Sequence, residues 1–196
     1  MAEKPAKGVK ATAEEIAKKD GDTVGEILFT QNDILKRAKQ LGKQITKDFE
    51  GEELYVICTL KGGVIWMSDL IKNINLDTKI EFICASSYGS ASSSSGCVTI
   101  KMDVDANLYD KNILIVEDII DTGTTLAYIV EKLSERNPKS LKICTMLDKP
   151  SRRKADVKAD YTGFEVDDLF IVGYGLDYDQ KYRGLPYVSY LTGPLN

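Results

Sequence analysis

Histidine is missing from this 196-residue sequence, and its four cysteines show no CxxC spacing. Without histidine, His-based catalytic triads and His-ligated zinc are excluded, so acid–base chemistry falls to carboxylates, Lys, Tyr or Cys. Three of the cysteines, Cys58, Cys84 and Cys144, lie in apolar strand-like runs, where a free thiol packs as a small hydrophobe. This cysteine usage indicates a reduced, cytoplasmic protein.

Excess positive charge and long apolar runs are absent as well. A formal net charge of -4 leaves no basic field for nucleic acid or an anionic membrane. No apolar run approaches the length of a transmembrane helix, and the first ten residues lack the hydrophobic centre of a secretory signal. We therefore expect no nucleic-acid or membrane partner, and any affinity for phosphate must come from a local site.

The length of the chain favours one domain with a substantial core over two independent domains. Residues 1–22 are polar and predict a flexible N-terminal extension, and residues 23–196 then form the domain. Apolar patterns predict strands at 25–29, 54–60, 80–85, 113–116 and 141–147. Helices are predicted from Thr30, which could cap the first one, and over 64–74 and 123–135. This alternation is typical of a parallel α/β sheet, whereas the aromatic-rich region after Pro150 is irregular.

Residues 113–125 are the most informative stretch. An aliphatic strand runs into three acids, Glu117, Asp118 and Asp121, and then into the turn Thr122, Gly123, Thr124, Thr125. A glycine turn that opens a helix is a ready anion site. Acids beside bound phosphate need hydroxyls or a metal ion, and a phosphorylated sugar with Mg²⁺ meets both needs. Taken singly, the acids could be solvated loop residues, and Asp121 could be the N-cap of the helix.

Residues 116–125 resemble the phosphoribosyl pyrophosphate (PRPP) motif of type I phosphoribosyltransferases. Segments 60–63, 86–89, 147–153, 170–177 and 181–183 resemble the hypoxanthine-guanine branch of that family, in the family's order, so the likeness covers about residues 25–190. The resemblance implies a parallel-sheet core with a small hood formed by the N- and C-terminal segments. It also implies Mg²⁺ as cofactor and a homodimer or homotetramer.

The reaction that the resemblance implies moves the 5-phosphoribosyl group of PRPP to a ring nitrogen of a 6-oxopurine. The backbone of residues 121–125 and the hydroxyls of Thr122 and Thr125 would cradle the 5-phosphate, with Thr124 at a tolerant position. Glu117 and Asp118 would hold the ribose hydroxyls directly or through Mg²⁺, and Asp121 would be the general base.

Other residues match the family's pyrophosphate and purine contacts. Lys61, Gly62 and Arg183 would bind pyrophosphate, and the peptide before Lys61 can be cis in the family. Asp177, grouped with the purine contacts, would hold a second Mg²⁺ on the pyrophosphate. Lys149 would read the oxygen at purine position 6, Phe170 would stack on the base, and the backbone of Ile171 would pair with its edge. Ser87 and Tyr88 would head a mobile loop that closes over the reacting centre.

Two other functions stay open at this stage. One is a PRPP-binding regulator without catalysis, against which the purine-contacting residues argue. The other is an enzyme for adenine or a pyrimidine, against which the lysine opposite purine position 6 argues, because the amino group of adenine would face another donor. The sequence does not rank hypoxanthine, guanine and xanthine.

Overall fold

The computed structural model describes residues 23–87 and 98–192. The strands are β1 (Thr23–Val24), β2 (Leu54–Thr59), β3 (Thr78–Ser87), β4 (Val98–Met102), β5 (Asn112–Ile120), β6 (Ser140–Asp148), β7 (Tyr161–Glu165), β8 (Phe170–Val172) and β9 (Ser189–Thr192). The helices are α1 (Gln31–Asp48), α2 (Gly63–Ile71) and α3 (Thr124–Ser134), and a short 3-10 helix spans Pro150–Arg152. The proposed extension 1–22 and most of the Ser-rich loop, including Tyr88, lie outside the described residues.

The main sheet has six strands in the order β4, β3, β2, β5, β6, β7. β4 runs antiparallel to β3, and the other neighbouring pairs are parallel, which confirms the predicted parallel α/β sheet. β5 is longer than the predicted strand 113–116, because its pairing with β6 continues to Ile120 opposite Asp148. Glu117 and Asp118 therefore lie within the strand, and Asp121 alone of the three acids follows it.

Helices cover both faces of this sheet, which explains the uninterrupted aliphatic run in β5. Leu114 and Val116 pack on the face covered by α1 and α2, whereas Ile113 and Ile115 pack on the face covered by α3. A strand that is buried on both sides needs apolar residues at every position rather than at alternate ones.

The first helix shows how local sequence fixes an element. Thr30 is its N-cap: its hydroxyl accepts from the Asp33 backbone NH at 3.3 Å, and the Asp33 carboxylate accepts from the Thr30 NH at 3.0 Å. This reciprocal capping box satisfies two otherwise unpaired donors. The buried side chains of α1 then recur at helical spacing, at Ile34, Ala38, Leu41 and Ile45.

A second, antiparallel sheet joins the two ends of the described chain in the order β1, β9, β8. The strand predicted at 25–29 is wrong: β1 is Thr23–Val24, and Phe29 forms only an isolated bridge to Val188. In the segment between Val24 and Phe29, Ser189 Oγ lies 3.0 Å from the Gly25 carbonyl and 2.9 Å from the Glu26 carbonyl. A side-chain hydroxyl therefore contacts these carbonyls in place of a backbone NH of a neighbouring strand.

The region after Pro150 is more regular than its sequence predicts, since it contains β7, β8 and β9. These strands are only 3 to 5 residues long, too short for an alternating pattern to stand out. Each of them is specified by distant partners: β7 pairs with β6, and β9 lies between β1 and β8. Local periodicity carries little information about such strands.

Candidate active site

The carboxyl ends of β2, β5 and β6 meet at one edge of the main sheet, as parallel strands require. There the ends of β2 and β5, with Ala85 of β3, border a cavity of about 300 Å³. Most of the residues expected to bind PRPP line it: Lys61, Gly62, Glu117, Asp118, Asp121, Thr122, Gly123, Thr125 and Arg183. Thr124 is not part of the lining, whereas Asp177, expected on the purine side, is.

A second cavity, of about 440 Å³, lies next to the first. Its lining contains the expected base-contacting residues Lys149, Phe170 and Ile171, together with Arg152, Asp168, Leu169 and Leu176. Ile119 and Asp121 line both cavities. Asp121 therefore stands where the two cavities adjoin, within reach of a group in either one.

The first cavity contains a pair of adjacent acids held by fixed contacts. Glu117 Oε1 lies 2.7 Å from the Thr59 hydroxyl and 3.2 Å from the Asp118 backbone NH. Asp118 Oδ1 accepts a hydrogen bond of 2.9 Å from the Ile119 NH. Burial and the neighbouring Asp118 carboxylate raise the pKa of Glu117 well above its usual range. Glu117 is half-buried and lines the first cavity.

Gly62 faces this acid pair so closely that any side chain there would have to displace Asp118. A Cβ atom at Gly62 would lie 1.5 Å from Asp118 Oδ2. The peptide between Leu60 and Lys61 is cis, as in the resembled family. At Gly62, the backbone of the turn after β2 lies directly against the Asp118 side chain of β5.

The turn after β5 has the conformation expected of an anion cradle. Gly123 has φ 78°, a left-handed conformation, and is the N-cap of α3. Gly123, and not Asp121, is therefore the N-cap of this helix. No side chain caps α3, and the Thr122 and Thr124 hydroxyls lie 3.3 Å apart beside its first turn. The helix dipole favours negative charge at this end.

Cationic and anionic side chains alternate on the opposite wall of the first cavity. Arg183 pairs with Asp177 at 2.7 Å and donates to the Gly175 carbonyl at 2.7 Å. Lys61 Nζ lies 3.0 Å from Gln180 Oε1, and the Gln180 NH donates to the other Asp177 oxygen at 2.8 Å. This network keeps two cations at the cavity wall.

A buried contact ties this wall to α2. The Tyr174 hydroxyl donates to the Asp69 carboxylate of α2. Burial and that hydrogen bond raise the pKa of Tyr174 above its usual range. A Cβ on the next residue, Gly175, which has φ 106°, would lie 2.0 Å from the Gly62 carbonyl. The Gly173–Arg183 loop and the turn after β2 therefore pack as one unit.

The second cavity has a buried cation and an exposed ring. Lys149 is 6% exposed, and its Nζ donates to the Leu169 carbonyl at 2.6 Å. Phe170 is 41% exposed and contacts the Tyr178 ring edge-on, with centroids 5.3 Å apart. A cation with donors to spare and an open aromatic face suit a planar base that carries an oxygen.

Two arginines that the sequence reasoning did not assign hold Asp121. Arg153 donates to the Asp121 backbone carbonyl at 2.6 Å and pairs with the Asp148 carboxylate. Arg152 Nε lies 3.0 Å from Asp121 Oδ1, and its Nη1 lies 3.1 Å from Asp168. Both arginines belong to segment 147–153, in which the family resemblance assigns a role to the lysine alone.

The start of the expected mobile loop is only partly described. Ser87 is the last residue of β3 and pairs with Val98, so it belongs to a strand rather than to the loop. Across residues 23–87 and 98–192, no three Asp, Glu or Cys side chains come together as a ready-made metal site. In the same ranges, no helix combines the length and apolar character needed to cross a membrane.

Comparison with known proteins gives consistent matches. The family model described as "Phosphoribosyl transferase domain" matches residues 25–179. The hypoxanthine-guanine phosphoribosyltransferase of Bacillus subtilis is 48% identical over 168 residues, which are 86% of this chain and 93% of that protein. A Streptococcus thermophilus enzyme of the same name is 47% identical with the same coverage.

Solved structures agree with these sequence matches. A hypoxanthine phosphoribosyltransferase of Staphylococcus aureus superposes with a TM-score of 0.85 at 45% identity, covering 92% of this chain and 97% of that one. A hypoxanthine-guanine phosphoribosyltransferase of Bacillus anthracis gives a TM-score of 0.81 at 43% identity, covering 87% and 99%.

Proposed function

Since this chain belongs to the hypoxanthine-guanine phosphoribosyltransferase family, we propose that it transfers the 5-phosphoribosyl group of PRPP to a 6-oxopurine and releases pyrophosphate. The products are a purine nucleoside monophosphate and pyrophosphate, so the enzyme serves purine salvage. Its base is hypoxanthine or guanine, with xanthine as a further candidate.

One observation carries this proposal: Asp121 lines both cavities. The first cavity contains the turn 121–125, which is suited to binding phosphate, and the second contains the buried Lys149 and the exposed Phe170 ring. A reaction that joins a sugar phosphate to a base needs a group at that junction. Asp121 would accept the proton that the purine ring nitrogen loses as the bond to the sugar carbon forms. Because the chain has no histidine, a carboxylate is the natural base here.

The first cavity would bind PRPP in three parts. The 5-phosphate would lie in the turn 121–125 at the N-terminus of α3, against backbone NH groups and threonine hydroxyls. The ribose hydroxyls would donate to Glu117 and Asp118. Lys61 and Arg183 would bind the pyrophosphate oxygens, and both cations already lie at the cavity wall.

The acidic residues of this cavity fit a divalent cation. They provide hard oxygen donors, and Mg²⁺ commonly takes one or two protein carboxylates plus substrate oxygens. Glu117 and Asp118 would hold one Mg²⁺ at the ribose hydroxyls, and Asp177 would hold a second one on the pyrophosphate. When bound, Mg²⁺ offsets the negative charge that builds up on the departing pyrophosphate.

The second cavity would select the base. Lys149 can donate to an oxygen at purine position 6 and cannot accept from an amino group there, which disfavours adenine. Phe170 would stack on the ring, and the Ile171 backbone would pair with its edge. Tyr88, which follows β3 in the sequence, would lead the loop that shields the reacting centre from water.

The test is pyrophosphate release from PRPP and Mg²⁺ with hypoxanthine, guanine, xanthine and adenine offered separately. Release with a 6-oxopurine but not with adenine is expected. Release with adenine alone would overturn the role of Lys149, and PRPP binding without release with any base would favour a regulator. Asp121→Asn should lower kcat by about 100- to 10,000-fold with PRPP binding retained, because general bases contribute factors of that size. Unchanged turnover would contradict the base assignment.

The state of the protein in the cell is part of the proposal. We expect residues 23–196 to act as one catalytic domain, in the cytoplasm, as a homodimer or homotetramer. Light scattering on the purified protein measures the mass of the assembly directly, and a monomer at working concentration would contradict the oligomer.

A further inference from the structure

Two consecutive arginines hold Asp121 by different atoms. Arg153 donates to the backbone carbonyl of Asp121 and pairs with Asp148, and both of these side chains are mostly buried. Arg152 instead reaches the carboxylate, with Nε 3.0 Å from Oδ1. Arg153 thus fixes the path of the chain at Asp121, whereas Arg152 acts on the group that would take the proton.

The Arg152 contact differs from an ordinary exposed ion pair. Exposed pairs contribute little to stability because water screens them, and Arg152 and Asp121 are 45% and 41% exposed overall. Asp121 Oδ1 itself, however, is buried and receives no well-directed hydrogen bond from any described residue. Arg152 is therefore the cation next to an oxygen that water does not reach. Without Arg152, the Asp121 carboxylate would be free to rotate away from the purine.

A second acid holds Arg152 from the other side. Asp168 lies 3.1 Å from Nη1 of Arg152 and stands two residues before Phe170, the first residue of β8. A guanidinium is planar and rigid, so contacts through Nε and Nη1 fix its orientation as well as its position. A chain of contacts therefore runs from Asp168, next to the strand that carries the Phe170 ring, through Arg152 to the proposed general base Asp121.

We propose that Arg152 is a positioning residue for the transfer reaction: it holds the Asp121 carboxylate toward the base cavity, and Asp168 holds Arg152. This inference rests on the proposed function, in which Asp121 accepts the purine proton. Arg152 lines the base cavity and not the PRPP cavity. Its removal should therefore impair the step that involves the purine and leave PRPP binding as it is.

The test compares Arg152→Gln with the wild type. We expect kcat/KM for hypoxanthine to fall about tenfold, because small misplacements of a reacting group reduce rates strongly. The KM for PRPP and the thermal midpoint should stay close to wild type. Arg152→Lys keeps the charge without the planar fork and should recover part of the loss. The control is Lys154→Gln, which removes a nearby exposed positive charge and should leave the kinetics unchanged.

A double-mutant cycle separates positioning from a general structural role. In an Asp121→Asn background, Arg152→Gln should cause no further loss beyond about twofold, because the carboxylate on which Arg152 acts is gone. Losses that multiply across the two substitutions, or a fall in PRPP affinity, would overturn the inference. If the wild type is active and Arg152→Gln has the same kcat/KM for hypoxanthine, that result would overturn this inference alone. A wild-type protein that transfers to no 6-oxopurine would overturn the proposed function itself.

Discussion

Replacing Glu117 by Gln should stabilise the ligand-free protein at neutral and alkaline pH. Burial and the Asp118 carboxylate raise the pKa of folded Glu117, so the folded state binds this proton more tightly than the unfolded state does. The associated stability is fully present below the unfolded pKa, near 4.5, and is lost as the pH rises toward the folded pKa. Glutamine carries no such proton, and its amide oxygen can still accept from the Thr59 hydroxyl.

The size of this effect follows from the linkage between protonation and unfolding. Each pH unit between the two pKa values costs wild-type protein about 1.4 kcal/mol relative to Glu117→Gln. For a chain of this length, the difference in melting temperature should grow by about 3 to 5 °C with each pH unit inside that window. Near pH 4, where glutamate is protonated in both states, the two proteins should melt alike.

The assay is thermal unfolding near pH 4 and about pH 8 in buffer without PRPP or Mg²⁺, with exposed Glu50→Gln as the matched control. The control should show no such dependence on pH. An equal melting difference for Glu117→Gln at both pH values, or a destabilised variant at the higher one, would refute the reasoning. We also expect Glu117→Gln to bind PRPP more weakly. The native glutamate would then lower the stability of the ligand-free protein while strengthening substrate binding.

Two further predictions concern backbone approach and a buried hydrogen bond. Gly62→Ala should raise the KM for PRPP about tenfold or more, because the new Cβ atom would displace the Asp118 carboxylate. The control is Gly184→Ala, since no atom lies within 4 Å of a Cβ atom at that position. Equal kinetics of the two variants would contradict the predicted displacement of Asp118. Tyr174→Phe should lower the free energy of unfolding by about 1.5 to 3 kcal/mol in urea titrations, because the bond to Asp69 is charge-assisted, and a loss below about 0.5 kcal/mol would show the contact to be unimportant.

The sequence predicted the parts of the molecule that local chemistry determines. The aliphatic run at 113–116 indicated a doubly covered strand, and the glycine turn after it indicated a left-handed residue, found at Gly123. Thr30 is predicted as a cap from its residue type ahead of an apolar helical pattern, and the structure adds Asp33, three residues on, as its capping partner. Such features depend on near neighbours in the chain, so their residue types are informative by themselves.

What the sequence did not predict depends on contacts between distant residues. The length of β5 is set by its partner β6, and the pairing of β1 with β9 joins residues almost a chain length apart. The two contacts of Arg152 likewise reach across 31 and 16 positions, from Asp121 to Asp168 (152 − 121 and 168 − 152). No local spacing reveals such partners, although a motif with two adjacent arginines was a reason to ask what each one contacts.

Among the described residues, the linings of the two cavities have only Ile119 and Asp121 in common, so under the proposed function substrate choice and sugar-phosphate chemistry would be largely separable. Variation confined to Leu169, Ile171 and Leu176 could recruit a new nucleobase without touching the residues that would activate PRPP. A mutant library built on those positions would therefore keep the donor half of the reaction constant while the acceptor changes. Divergence of such enzymes toward other bases would be expected to proceed through this half of the pocket.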